Sequence, residues 1–347
     1  MLTKTQVKEI REHLDKAQNP VFFFDNDQDG LCSFLLLQRY SEKGRGVAIK
    51  SYPEMDKGYF RRVGELNADY IFILDKPIVG SEFWEKVRQV NIPVVWIDHH
   101  DVKADGEEIP EFVNYYNPVY NKDSTNEPVT ALCYQVSEKK EDIWLAVAGC
   151  IADSYFPDFY KDFLKKYPDL GKKSNEAFDI LYDSQIGEMA RMFAAGLKDT
   201  TSNVVSMLRF LIRAKTPYDV LEESPKNKSM HKRYKFIREK YDRLLEKALA
   251  ERKPDKVLFF SYGGDMSMSG ELANELSYRF PDKIIVVCYA RGSKVNISAR
   301  GENVKKVVLK AIEGLEGSRG GGHERAIGAQ IRNEDLGKLK IILKEIV

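Results

Sequence analysis

The stretch Val21-Phe22-Phe23-Phe24-Asp25-Asn26-Asp27-Gln28-Asp29-Gly30 places three carboxylates at alternate positions directly after an apolar, strand-like run. Three like charges this close raise one another's pKa unless a cation or a dense set of donors stands among them. The segment therefore reads as a site for a divalent metal. Two kinds of metal site share the pattern D-x-D-x-D-G. A calcium loop of the EF-hand kind needs a preceding helix and a bidentate Glu at its twelfth position, whereas here Phe22 to Phe24 precede it and Leu36 stands twelfth. The other kind is a strand whose C-terminal end carries the carboxylates, followed by Gly30 in a tight turn and an apolar helix from Leu31 to Tyr40. Ligand sites in open α/β sheets lie at such strand ends. A surface turn rich in Asp and Gly is the bland reading of the same letters.

Two later segments repeat the design. Tyr70-Ile71-Phe72-Ile73-Leu74-Asp75 and Ile92-Pro93-Val94-Val95-Trp96-Ile97-Asp98-His99-His100 are again apolar runs ending in Asp, the second adding two of the five histidines. A continuous apolar run is the mark of a strand buried on both faces, and periodicity alone leaves a buried helix open as well. Three strand tips would bring these groups together. Imidazole with carboxylate oxygen suits Mn, Fe or Zn better than Mg or Ca, and a set dominated by carboxylates favours Mn over Zn. Cys32 and Ser33 adjoin the first motif, but no His-Asp relay can be set against them, so they read as small residues packed in a helix.

With Ala148-Gly149-Cys150-Ile151-Ala152-Asp153 added, the ordered motifs resemble those of the DHH phosphoesterases, and Gly320-Gly321-Gly322-His323-Glu324-Arg325-Ala326-Ile327-Gly328 resembles the glycine-rich motif of their DHHA1 accessory domain. The resemblance spans most of the chain and implies an α/β fold: an N-terminal parallel-sheet DHH domain over residues 1–190, a helical connector over 191–250, and a smaller C-terminal α/β DHHA1 domain over 251–347. Within it, the compact archaeal RecJ-like nucleases, including the helicase-associated kind, are closest in build. It implies that Asp27, Asp29, Asp75, His99 and Asp153 are metal ligands, with Asp75 bridging two Mn2+ ions and Mg2+ as the alternative metal. Asp25 is a further candidate, as ligand or as a group behind the ligands. His100 would face the substrate phosphate and Asp98 would orient a neighbouring histidine. The bland reading of Asp153 is a helix-end carboxylate. Ser298, Arg300, Gly320, Gly321, Gly322, His323 and Arg325 would bind substrate. Consecutive glycines let a phosphate approach the backbone, His323 and Arg325 would stand at the start of a following helix, and Arg300 can grip phosphate through two parallel bonds. A flexible glycine loop is the alternative.

Two divalent ions roughly 3.5–4 Å apart can activate water and neutralise charge on a phosphodiester, so hydrolysis is the natural reaction. The expected activity is that of an exonuclease on single-stranded DNA or short RNA. A small-nucleotide phosphodiesterase acting on nanoRNA, cyclic dinucleotides or adenosine bisphosphate is the alternative, and a catalytically dead scaffold in a replication or repair complex is a third. A helicase or another repair or replication protein is the expected kind of partner.

Composition bounds the rest. The chain has 347 residues, 43% hydrophobic and 31% charged, with 54 basic against 53 acidic residues and a formal charge of +1. Proteins that coat long duplexes carry a large positive excess, so extensive backbone tracking is not expected. A local exception is Lys226 to Lys240, where Lys, Arg and His alternate with Tyr234 and Phe236; it reads either as a groove wall for phosphates or as a solvated helix face. The N-terminal residues have a charged helical pattern with Val7, Ile10 and Leu14 on one face, unlike a signal peptide. Four scattered cysteines read as reduced, buried thiols of a cytoplasmic protein with no membrane partner. Residues 161–174 read as a helix, a turn and a loop inserted after the fourth motif.

Overall fold

The computed structural model describes residues 1–51, 54–102, 108–251 and 254–346. They form two compact units, 1–234 and 235–347. In chain order the first contains α1 (Lys4–Lys16), β1 (Pro20–Asp25), α2 (Gln28–Ser41), β2 (Arg45–Ile49), α3 (Arg61–Glu65), β3 (Tyr70–Leu74), α4 (Ser81–Val90), β4 (Val94–Ile97), β5 (Val113–Tyr116), α5 (Val129–Ser137) and α6 (Ile143–Ala152). It continues with α7 (Tyr160–Lys166), α8 (Ala177–Asp183), α9 (Gln185–Leu197), α10 (Thr201–Leu211) and α11 (Pro217–Leu221), and α12 (Lys228–Ala250) crosses the boundary.

The first sheet is wholly parallel in the order β2-β1-β3-β4-β5. Its apolar runs are continuous because both faces are covered. Phe22, Phe24, Phe72, Leu74, Val95 and Ile97 enter one core, packed with α1, α2, α5, α6 and α9 residues. Val21, Phe23, Ile71, Ile73, Val94 and Trp96 enter the other, with Phe83, Trp84 and Val87 of α4. Truncating one of these phenylalanines to Ala should cost about 3–5 kcal/mol. In such an order the chain reverses direction between β1 and β3, and the crevice beyond those strand ends is where ligands bind. The carboxylates Asp25 and Asp75 stand there.

One expectation about boundaries needs correcting. The helix after β1 begins at Gln28, not Leu31, because Asp27 caps it, accepting a hydrogen bond from the Gly30 N–H at 2.9 Å. In the helical region Phe193, Val204, Leu208, Leu211 and Val220 pack into the first unit's core, and the boundary between the two units falls inside α12. The EF-hand reading is excluded by β1, which stands where that loop needs a helix.

The second unit contains β6 (Val257–Gly263), α13 (Ser269–Arg279), β7 (Ile284–Arg291), β8 (Lys294–Arg300), α14 (Val304–Ile312), β9 (Arg319–His323), β10 (Ala326–Arg332) and α15 (Leu336–Ile346). Its sheet has the order β6-β7-β8-β10-β9, with β6 and β7 parallel and the remaining neighbours antiparallel. All four cysteines are buried free thiols. Among the described residues no helix is long and apolar enough to cross a membrane.

Candidate functional site

At the tip of β1 the chain must turn sharply into α2, and Gly30 permits it. A Cβ there would meet the Asp25 carbonyl oxygen at 2.4 Å. Asp29, in the first turn of α2, is buried, and its two carboxylate oxygens accept hydrogen bonds from the backbone N–H groups of Val129 (2.9 Å) and Thr130 (2.6 Å) at the start of α5. The Thr130 hydroxyl in turn donates to the Asp29 carbonyl at 3.0 Å. Asp29 thus serves the fold as well as the site.

Asp75 follows β3 with φ of 58°, in the left-handed region, and its N–H donates to the Ile97 carbonyl at 3.0 Å. Backbone strain of this kind in a non-glycine residue collects at functional sites. Asp98, His99 and His100 follow β4. His99 is buried, with Nε2 at 3.5 Å from Asp75 Oδ1 and 4.0 Å from Asp153 Oδ2. His100 places Nδ1 at 2.8 Å from Oδ1 of the fully buried Asp98, and its carbonyl accepts from Asn117 Nδ2 at 2.8 Å. Asp153 caps the C-terminal end of α6, with its side chain partly exposed.

Two groups of side chains come close enough together to hold a metal ion. In Asp75, His99 and His100, and again in Asp29, His99 and Asp153, one ligand atom from each residue lies within 4.8 Å of the others. Asp25 and Asp27 belong to neither group. Asp25 Oδ1 lies 3.2 Å from the ammonium of Lys76, a buried lysine that also donates to the Ser51 carbonyl at 3.2 Å. The Lys76 carbonyl accepts from Trp96 Nε1 at 3.0 Å, which fixes the residue at the strand tip.

Burial and mutual repulsion dominate the electrostatics of the cluster. Burial, then the charges of Asp29, Asp27, Asp25 and Asp153, push Asp75 well above the usual carboxylate range. Asp153 moves in the same direction through crowding and the charges of Asp29 and Asp27, with His100 opposing. Asp27 is pushed up to about 7 by enclosure and by Asp25 and Asp29. Burial pulls His100 down, but the adjacent Asp98 outweighs it and raises the imidazole to about 9. Packed carboxylates whose protons are held this tightly, beside imidazole nitrogen, form a donor set that a divalent cation fits.

In the second unit the strand register gathers the expected substrate residues at one end of the sheet: Arg300 stands opposite Ala326, which stands opposite His323. Ser298 Oγ lies 3.0 Å from Ser269 Oγ, and Arg300 donates from Nε to Asn274 Oδ1 at 2.6 Å. The glycine motif differs from expectation. Gly320, Gly321 and Gly322 form the edge strand β9, neither a loop nor a turn into a helix, and Arg325 sits in the hairpin turn to β10. Gly322 has φ of 144°, and a Cβ on it would meet the Ala326 carbonyl oxygen at 2.4 Å. The side chain of His323 lies outside the described residues. On the basic helix α12, His231 bonds the Val220 carbonyl, Arg238 pairs with Asp242, and Lys240 pairs with Asp265.

Sequence reasoning missed Lys76, Thr130 and Asn117. A single lysine after an aspartate carries no pattern, and the other two act from about a hundred and about twenty positions away through backbone contacts.

Comparisons with known proteins agree with this geometry. Residues 21–153 match the DHH family, N-terminal domain, and residues 255–347 match the DHHA1 domain. The fold is similar to that of RecJ from Thermus thermophilus in complex with Mn2+ (TM-score 0.69, 14% identity, 98% of this chain and 54% of that one). This chain therefore spans about half that protein's length. It is also similar to an exonuclease RecJ bound to manganese (TM-score 0.65, 14% identity, 99% and 94% coverage) and to CDC45 of Entamoeba histolytica (TM-score 0.53, 11% identity, 99% and 98% coverage). No curated protein sequence matches the chain.

Proposed function

We propose, from the premise that this chain belongs to the DHH/DHHA1 proteins and has a RecJ-like fold, that it is a metal-dependent phosphodiester hydrolase shortening single-stranded DNA or short RNA from an end. The observation that carries the reading is the convergence of Asp29, His99 and Asp153 within metal-ligand distance of one another, with Asp75 and His100 gathered on the same His99. Asp27, Asp29, Asp75, His99 and Asp153 would hold two Mn2+ ions, or Mg2+ in their place. The ions supply water activation and charge neutralisation at the phosphate.

The chain's own residues do the rest. Asp98 fixes His100 through Nδ1 and favours its charged form, which would let the imidazole hold a phosphate oxygen or donate its proton to a leaving oxygen. Asp29 locks the first turn of α2 against α5, so the ligands on α2 cannot drift apart. Ser298, Arg300, Arg325, His323 and the backbone of Gly320 to Gly322 would hold the nucleotide.

Two other readings rest on specific observations. Near-balanced charge, 54 basic against 53 acidic residues, suits a small substrate such as nanoRNA, a cyclic dinucleotide or adenosine bisphosphate. A silent scaffold working beside a helicase has a counterpart in the similarity of fold to CDC45. Hydrolysis in Mn2+ of end-labelled single-stranded DNA, RNA of a few nucleotides and a cyclic dinucleotide separates the three. A ladder growing from one end of the oligonucleotides supports the exonuclease. Turnover of only the dinucleotides supports the second reading, and no turnover with either metal supports the third.

A further inference from the structure

A groove of about 560 Å3 lies in the first unit, away from the carboxylates. One wall is the consecutive stretch Gly44 to Ala48, which contains most of β2. The other is α10, through Val204, Val205, Leu208 and Arg209. Because β2 ends the sheet, paired to β1 on one side only, the groove runs along an open strand edge. An open edge presents alternate N–H and C=O groups that template a further strand. Here the edge faces apolar side chains of α10, among them the exposed Val205. Helix spacing of three and four residues sets those side chains in one row.

The rim is cationic. Arg45, Lys50, Arg62 and Arg209 all line the groove. Of these, Arg62 pairs with Glu65 and Lys50 donates to the Asp199 carbonyl, while Arg45 and Arg209 have no acidic partner among the described residues. We infer that this groove takes an extended acidic segment of another protein, which adds a strand to β2, sets alternate apolar side chains against α10 and pairs its carboxylates with Arg45 and Arg209. Strand addition draws affinity from backbone bonds and specificity from alternate side chains. A second copy of this chain would bring its own four cations onto these, and like charges disfavour that pairing. A nucleic acid strand would use the cations but leave the apolar wall of α10 and the strand edge unmatched.

Panning a displayed library of random peptides of about twelve residues, enough for a strand and its flanks, against the full chain tests this. Enriched sequences should alternate apolar residues with Asp or Glu. The best of them, fluorescently labelled, should lose at least about tenfold in affinity to Val205→Asp and Arg209→Glu. Both positions are exposed, so the fold should tolerate the changes, and metal-dependent hydrolysis should be unaltered. Hydrogen exchange should slow at β2 amides when the peptide binds. Enriched peptides without acidic residues, binding indifferent to both variants, or unchanged exchange at β2 would each overturn the inference. So would oligothymidylate binding that the same variants abolish, or a concentration-dependent dimer that they dissolve.

Discussion

The ammonium of Lys76 lies 3.2 Å from Asp25 Oδ1, so a buried lysine at the tip of β3 occupies the carboxylate that opens the acidic run at the tip of β1. A buried lysine must be paired to stay charged, and this one answers to Asp25 and the Ser51 carbonyl. The expectation that follows is that Asp25 holds this cation and is not a metal ligand. Lys76→Met should lower the metal-free melting temperature, because breaking a buried pair costs up to about 3–5 kcal/mol and the partly exposed Asp25 recovers some of it from water. Mn2+ should then raise the melting temperature more in the variant than in the parent, while Asp25→Asn keeps its Mn2+ affinity within about threefold by titration calorimetry. A collapse of Mn2+ affinity in Asp25→Asn would return that residue to the ligand set.

Asp75 should be indispensable for turnover and dispensable for folding. Its φ of 58° makes Asn the cleaner replacement, since Asn adopts the left-handed region readily and Ala does not. Asp75→Asn should lower kcat by about a thousandfold or more at saturating Mn2+ if the residue bridges the ions. Its metal-free melting temperature should hold or rise as repulsion with Asp27 and Asp29 is relieved. Near-parental turnover of the variant would remove Asp75 from the centre.

Stability of the metal-free protein should fall as pH rises. Asp27, Asp75 and Asp153 hold protons more tightly in the folded state than in the unfolded chain, so the native state binds more protons across the interval between. The slope of unfolding free energy with pH is then negative. Their contribution is complete below the ordinary aspartate value of 3.8 and, for Asp27, is lost on passing about 7. His100, raised from 6.5 to about 9, extends the decline in the same direction. Thermal melts from acid to mildly alkaline pH should show this fall without metal and a flatter or reversed profile with Mn2+. A metal-free maximum at alkaline pH would contradict the charge distribution.

Asp29 and Asp153 should separate stability from activity. Asp29→Ala strips two buried N–H groups of their acceptors and should destabilise by roughly 2–4 kcal/mol, read by urea unfolding. Asp153→Asn, on an exposed helix end, should leave stability within about 0.5 kcal/mol yet weaken metal binding. Equal stability losses in the two variants would refute this contrast.

Arg300 should act on binding. Arg300→Ala should raise KM for oligonucleotides while a minimal activated phosphodiester is hydrolysed at the parental rate, and Arg300→Lys should recover little because a point charge lacks the planar fork. Equal losses on both substrates would place Arg300 in the chemical step.

The sequence made the first sheet and its acidic tips legible because burial on both faces leaves continuous apolar runs such as Val21 to Phe24, each closed by a chemically loud residue. The same loudness hid the helix cap: Asp27 serves site and helix start together, so α2 begins earlier than its apolar run. The glycine motif was misread for a different reason. Glycine favours turns by its own preferences, and only pairing of Gly320 to Gly322 with Ile327 to Ala329 makes it a strand. Lys76 was invisible because its partner Asp25 lies fifty-one positions earlier and meets it only when β1 and β3 pair.

The double duty of Asp29 bears on how such a protein would decay. Were selection for hydrolysis lifted, Asp29 would persist, because losing it unfastens α2 from α5, whereas Asp153 has no fold-bearing bond and would drift freely. Retention of the D-x-D-x-D-G run is therefore poor testimony that a descendant still cuts. The carboxylate at the end of α6 is the better witness.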